Sequence, residues 1–147
     1  MLFNKFGDYM GKIIPTIIGI ILLVGLPFIL NYVGIDLTSR LALAIIIIVP
    51  SAVAGLLARS GGDSAISGFL TMFIPMLGMG ILMIINALGF LQGTVSSIIE
   101  AIATALVGTI LLIVGLVVII ASVIVSIIGA IIGGISGFVS RVLFPKK

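Results

Sequence analysis

The chain has 147 residues, 62% of them hydrophobic and 7% charged, with a formal charge of +3. Soluble domains are about a quarter charged, so the few ionisable groups here cannot cover this much apolar side chain, and lipid must be the solvent for most of it. Cysteine and histidine are both absent, which excludes disulfides, thiolate metal sites and the commonest general base.

The small positive charge is not a nucleic-acid signal; topology accounts for it. The start, "MLFNKFGDYMGKIIPTIIGIILLVGLPFIL", places basic residues before an apolar run, as a signal peptide does. The run is longer than a typical apolar core of such peptides and no A-x-A-like site follows it, so the expectation is an uncleaved first span.

Four apolar blocks follow one another, separated by short polar breaks. The first covers residues 13–34, with Pro15 expected in its first turn, where a missing N–H costs nothing. "IDLTSR", with Asp36 and Arg40, reads as a turn. The second block, 41–58, has the minimum length for a span. "ARSGGDSA" reads as a tight loop in which Asp63 balances Arg59. The third block is 66–89. "GFLQGTVSSIIE" is the last polar break before a final block, 100–140.

Backbone groups at membrane depth must be satisfied within their own segment, so each block is expected to be helical. The alternation of a membrane barrel strand is missing. The expected fold class is therefore all-α: a polytopic transmembrane helix bundle of four spans, the last helix long and rich in small residues. It forms one membrane domain over 1–147, without room for a soluble domain.

Orientation follows from the basic residues. With a cytoplasmic N-terminus and four crossings, Lys5, Lys12, Arg59, Arg141, Lys146 and Lys147 face the cytoplasm and Arg40 alone lies outside. A hairpin in the last block would add a fifth crossing and move Arg141, Lys146 and Lys147 outside. The expected localisation is the cell membrane, multi-pass, with both termini cytoplasmic.

Three blocks contain an internal proline: Pro27, Pro50 and Pro75. Each deletes a hydrogen bond and frees the carbonyl four residues back, at Leu23, Ile46 and Thr71. Such kinks expose carbonyls to a pore or simply serve packing, and the lack of accompanying charge favours packing.

From Glu100 to Arg141 no charge interrupts the sequence. Ala101, Gly108, Gly115, Ser122, Gly129 and Ser136 recur every seven residues. In the second half Ser126, Gly133 and Ser140 fill the intermediate positions, while Ile127, Ile128, Ile131, Ile132 and Ile135 take the other face. Small residues let helices approach closely where lipid offers no hydrophobic drive to associate, and a seven-residue period suits a left-handed crossing. Ala101, Gly108, Gly115, Ser122, Ser126, Gly129, Gly133, Ser136 and Ser140 are therefore the expected helix-packing seam, used within the bundle or between copies.

Little else carries chemistry. The four carboxylates, Asp8, Asp36, Asp63 and Glu100, are unpaired with one another, and no serine or threonine has an activating base. No catalytic, cofactor-binding or metal-binding set is expected, and the chain reads as a non-enzyme. Glu100 is the candidate for an ion site if the last span begins near Thr94; otherwise it is a helix N-terminal charge at the outer interface. Asn31, Asn86 and Gln92 fall near outer ends of spans, and Tyr9 and Tyr32 suit the two interfaces.

With "AVAGLLARSGGDSAISGFLTMFIPMLGMG" and "IIGAIIGGISGFVS" in view, the chain resembles a group of small, glycine-rich, four-span archaeal membrane proteins of uncharacterised function. The resemblance covers about a third of the chain; it implies four spans and an archaeal source, and no activity. The boundary position of Glu100 sets the chain apart from the rotor proteolipids of vacuolar-type ATPases.

The functional expectation is a non-enzymatic integral membrane protein acting by helix packing, as a self-associating or small structural subunit of a membrane assembly. Its partners are then the lipid bilayer and copies of itself or other membrane subunits, with no cofactor. The alternative is a channel, holin-like pore or small-solute or ion transporter using the proline-kinked helices. A structural role in a viral or vesicle membrane is a third reading.

Overall fold

The computed structural model describes residues 2–58, 60–93 and 97–143, with side chains from Met10 onward. The side chains of Lys5, Asp8 and Tyr9 lie outside the described residues, as do Arg59, Thr94, Lys146 and Lys147 altogether.

Among the described residues the chain forms four α-helices and no strand: α1 Leu2–Tyr32, α2 Arg40–Leu57, α3 Gly61–Leu91 and α4 Ile98–Leu143. All four are long and apolar enough to cross a membrane. This is the all-α, four-span architecture that the composition and the four apolar blocks imply. The final block is one continuous helix of 46 residues, roughly 70 Å long against a hydrocarbon core of about 30 Å.

Several boundaries differ from the sequence reading. α1 begins at Leu2 rather than near residue 13, so Pro15 sits in the helix interior and not in its first turn. Polar residues before an apolar run end a hydrophobic span, but they do not end a helix. α3 begins at Gly61, five residues earlier than the expected 66. The chain remains helical through Pro27, Pro50 and Pro75.

The helix ends have local causes. α1 closes on Gly34, the one residue at positive φ (+82°) among those described. There the Ile35 N–H donates to the Leu30 carbonyl at 2.9 Å and the Gly34 N–H to Asn31 at 3.0 Å, the paired bonds of a left-handed helix stop. In the following turn the Thr38 N–H and hydroxyl both donate to Asp36 Oδ1 at 2.8 Å. The backbone donor, with the hydroxyl beside it, holds the Asp36 carboxyl below its ordinary range.

Three helices then start on a serine. Ser39 Oγ accepts from Ala42 N, Ser60 Oγ from Asp63 N, and Ser97 Oγ from Glu100 N, at 3.1–3.2 Å. Each bond satisfies an N–H that the first turn leaves without a helical partner. In α3 and α4 the residue three after the cap is acidic, which also suits the helix dipole.

Packing divides the chain into two compact units: Met1–Phe73 with Val125–Lys147, and Ile74–Ile124. In α3 the division falls beside Pro75, where one backbone hydrogen bond is missing. The first unit holds α1, α2, the first part of α3 and the last part of α4. The second holds the remainder of α3 and α4.

Side chains are sorted by size more than by polarity. Buried positions include Thr16, Ser51, Ser67, Thr71, Ser122 and Ser126, together with Ala42, Ala54 and Ala87. Large apolar side chains such as Ile21, Val24, Ile48, Ile85, Ile120 and Ile124 point outward. A water-soluble fold reverses this arrangement. In lipid, branched aliphatic side chains lose nothing by facing the solvent, and small ones let the helices close together.

Candidate functional site

In the first unit α4 presents Ser126, Gly129, Gly133 and Gly137, all buried, with Ser136 partly so. The neighbours of Gly129 and Gly133 are mostly backbone, with Met72 Cγ beside Gly129, while Gly137 faces the Ser64 side chain. A Cβ placed on Gly129 would stand 2.6 Å from the Gly68 carbonyl oxygen, and one on Gly133 would stand 3.0 Å from Gly68 Cα. In return, a Cβ on Gly68 would strike the Gly129 carbonyl, and one on Gly55 would strike the Gly133 carbonyl. Where Gly55 and Gly68 face Gly129 and Gly133, main chains meet directly. Ser136 adds a polar tie: its hydroxyl is within 3.0 Å of the Ala52 carbonyl on α2 and of its own Gly133 carbonyl.

The second unit closes differently. A Cβ on Gly115 would stand 2.9 Å from Ile84 Cγ1 and 3.2 Å from Met83 Cβ; one on Gly108 would stand 2.8 Å from Leu91 Cγ. Here the closest atom to each of these α4 glycines belongs to a large α3 side chain, although Gly80 and Gly115 also face one another, a Cβ on either standing 3.1 Å from the other's carbonyl oxygen. Of the remaining seam positions, Ser122 is buried and donates to the Ile119 carbonyl at 2.6 Å. Ala101 and Ser140 are half-buried.

An ion pair forms a second cluster of the first unit. Lys12 Nζ on α1 lies 3.3 Å from Asp63 Oδ1 on α3, with the two side chains 34% and 11% exposed. Asp63 thus pairs across 51 residues with Lys12 on the facing helix and lies inside α3 rather than in a loop; the pairing with Arg59 expected from sequence proximity falls on a residue outside the described ones. The Lys12 carbonyl accepts from Thr16 Oγ1 at 2.8 Å and from Ser67 Oγ at 3.3 Å. Ser64 and Thr71 donate to Ser60 and Ser67 carbonyls on their own helix. One turn further along α1, Gly19 leaves room for Thr71; a Cβ there would stand 2.5 Å from its hydroxyl.

The sequence carried a trace of this cluster. Lys12, Thr16 and Gly19 share one face of α1, and Asp63, Ser67 and Thr71 one face of α3, at the spacing of adjacent helical turns. Two matching polar stripes on otherwise apolar helices mark a contact between them.

The other expected positions stand apart from both clusters. Glu100 is exposed in the first turn of α4, behind its Ser97 cap, and its carbonyl accepts from Thr104 Oγ1 at 2.6 Å. Pro50 is buried, while Pro27 and Pro75 are half-buried. Next to Pro50, Ser51 Oγ is buried without a hydrogen-bond partner. Asn86 is exposed and donates to Leu82 on its own helix at 2.8 Å. Among the described residues no three of His, Cys, Asp and Glu come together to hold a metal ion.

These features define a class: a multi-pass integral membrane protein whose described helices are joined by small residues, hydroxyls and an ion pair. Comparison with protein-family models, curated proteins and solved structures finds no match to this chain.

Proposed function

We propose that the chain is a non-enzymatic structural protein of the membrane, a small subunit that works by packing with copies of itself or with other membrane subunits. The observation that supports this reading is where its polar groups are used. Ser67 and Ser136 bond to carbonyls of facing helices, Asp63 bonds to Lys12, and Thr16, Ser64 and Thr71 bond to carbonyls of their own helix, so these groups are spent on the protein rather than turned to a solute. We further read the site of action as the cell membrane, with both termini cytoplasmic, and the source as archaeal.

The contacts of Gly129 and Gly133 lie inside one chain. Assembly would therefore use the outward faces, and Gly129→Leu would test the fold rather than self-association.

A second reading, a channel or small-solute transporter, has one observation in its favour. The Ser51 hydroxyl is buried without a partner beside Pro50, whose missing N–H frees a carbonyl in the same helix. Water or a passing ion would satisfy both groups.

Reconstitution separates the two. Proteoliposomes would be assayed for proton, sodium and dye flux, and the same protein in nanodiscs for its distribution of oligomers. The structural reading expects flux equal to that of protein-free vesicles and a discrete oligomer or a co-purifying subunit. A selective flux lost in Ser51→Ala would replace it with the transport reading.

A further inference from the structure

At one end of the first unit the described charges do not balance. Lys12 pairs with Asp63, and the Arg141 guanidinium from the last turn of α4 lies over Gly61, two residues before Asp63. A Cβ on Gly61 would stand 2.9 Å from an Arg141 terminal nitrogen, so the absence of a side chain there is what lets the guanidinium lie down on α3. Among the described residues, two cations here face one carboxylate, which leaves one positive charge in excess. Arg141 is exposed and Lys12 about one-third exposed, so that charge is open to whatever borders this end of the helices.

An apolar groove of about 320 Å³ runs between α1 and α2 at the same end. Its lining is Met10, Gly11, Ile14, Pro15, Ile18 and Leu57, and Gly11 adjoins Lys12 in the chain. Gly11 and the Pro15 ring keep bulk out of the groove where α1 carries them. Ile14 and Leu57 form exposed parts of its walls.

We propose that this groove holds an acyl chain of an anionic phospholipid whose phosphate is drawn to Lys12 and Arg141. The occupant follows from complementarity. The groove is apolar on a helix pair that spans the membrane, so its natural filling is a lipid tail. Lys12 follows the groove residue Gly11 and is paired to the Asp63 end of α3 over which Arg141 lies, and the excess positive charge of that cluster matches one phosphate, as basic pockets between membrane helices match anionic headgroups. A zwitterionic lipid would fill the groove equally well and would leave the charge uncompensated. The proposal needs the membrane class alone and stands whether the protein is a structural subunit or a transporter.

Delipidated full-length protein in a non-ionic detergent would be titrated with phosphatidylglycerol and with phosphatidylcholine of the same chains, with bound lipid counted by native mass spectrometry. Phosphatidylglycerol should bind about five-fold more tightly, the effect of one basic residue at a membrane surface. Arg141→Gln should remove that preference, Arg141→Lys should largely restore it, and neither should change phosphatidylcholine binding. Ile14→Trp, which fills the groove from an exposed position, should weaken both lipids together. Circular dichroism of each variant establishes that the helices are intact. Equal binding of the two lipids, an unchanged preference in Arg141→Gln, or unchanged binding in Ile14→Trp would each overturn the proposal. So would glycerol phosphate competing as well as the whole lipid, or a second protein copy found in place of lipid.

Discussion

The two units solve one problem in two ways. Both bring α3 and α4 together without a hydrophobic drive. In the first unit glycine faces glycine: Gly68 meets Gly129 and Gly133, and Gly55 meets Gly133. In the second, the closest atom to each α4 glycine belongs to a large side chain, Ile84 at Gly115 and Leu91 at Gly108, with the Gly80 carbonyl and Met83 a little further from Gly115. The first arrangement brings main chains close enough for Cα–H contacts to carbonyl oxygens, and a backbone carbonyl, unlike a side chain, cannot rotate away. The second is an ordinary knob in a hole, whose knob has rotamers in reserve. Polar ties are also concentrated in the first unit, where Lys12, Asp63, Ser67 and Ser136 link different helices. Close approach and polar bonding thus go together, because a hydroxyl reaches a neighbouring carbonyl only where side chains are small.

The sharpest way to break this comparison is to add one methyl group to each seam. Gly68→Ala drives a Cβ into the Gly129 carbonyl and against Gly133 Cα, so a helix must move, at a cost of about 3 kcal/mol, the upper part of the overpacking range. Gly115→Ala presses mainly on the Ile84 and Met83 side chains, although the Gly80 carbonyl is also 3.1 Å away. It should cost about 1 kcal/mol, the lower part of that range. Unfolding equilibria in mixed micelles would measure both. Equal losses would show that the two units pack alike in energy.

The ion pair gives the next largest effect. Lys12→Ala and Asp63→Asn should each destabilise, because each leaves a partly buried partner uncompensated. In a double-mutant cycle the coupling should come to about 1 kcal/mol, reduced by the one-third exposure of Lys12. A coupling of zero would mean that the hydroxyl bonds around the Lys12 carbonyl hold α1 against α3 without help from the charges.

How much of this the sequence displayed depends on the range of the signal. Four spans were legible because block length and apolarity are local properties that the bilayer thickness tests directly. The seven-residue spacing in α4 was equally legible, but a period on one helix does not name its partner, and nothing local to Gly133 points to Gly68. The ion pair was missed for the same reason. Arg59 is near Asp63 in sequence, whereas Lys12 is near it only once α1 and α3 lie side by side.

The early start of α3 was concealed by Gly61 and Gly62, which read as breakers. The Ser60–Asp63 cap, a pattern that Ser97–Glu100 repeats, was the signal that outweighed them. The groove beside Lys12 had no sequence signature, since Gly11 and Pro15 look like any small residue and any proline until α2 is laid against them.

The smallest effect reverses sign and marks the limit of the seam. Gly25 in α1 and Gly78 in α3 are helix-interior glycines for which an added Cβ meets nothing within 4 Å. If every glycine in this chain served close packing, alanine at these two positions would destabilise. The geometry says otherwise: a glycine with open space beside it contributes only backbone freedom to the unfolded chain, and alanine removes that freedom. Gly25→Ala and Gly78→Ala should each stabilise by about 0.5 kcal/mol, read from the same micellar unfolding equilibria. A loss at either position would mean that something outside the chain, such as a second copy, a partner helix or a bound lipid, presses against that bare backbone, and would move the search for a partner surface there.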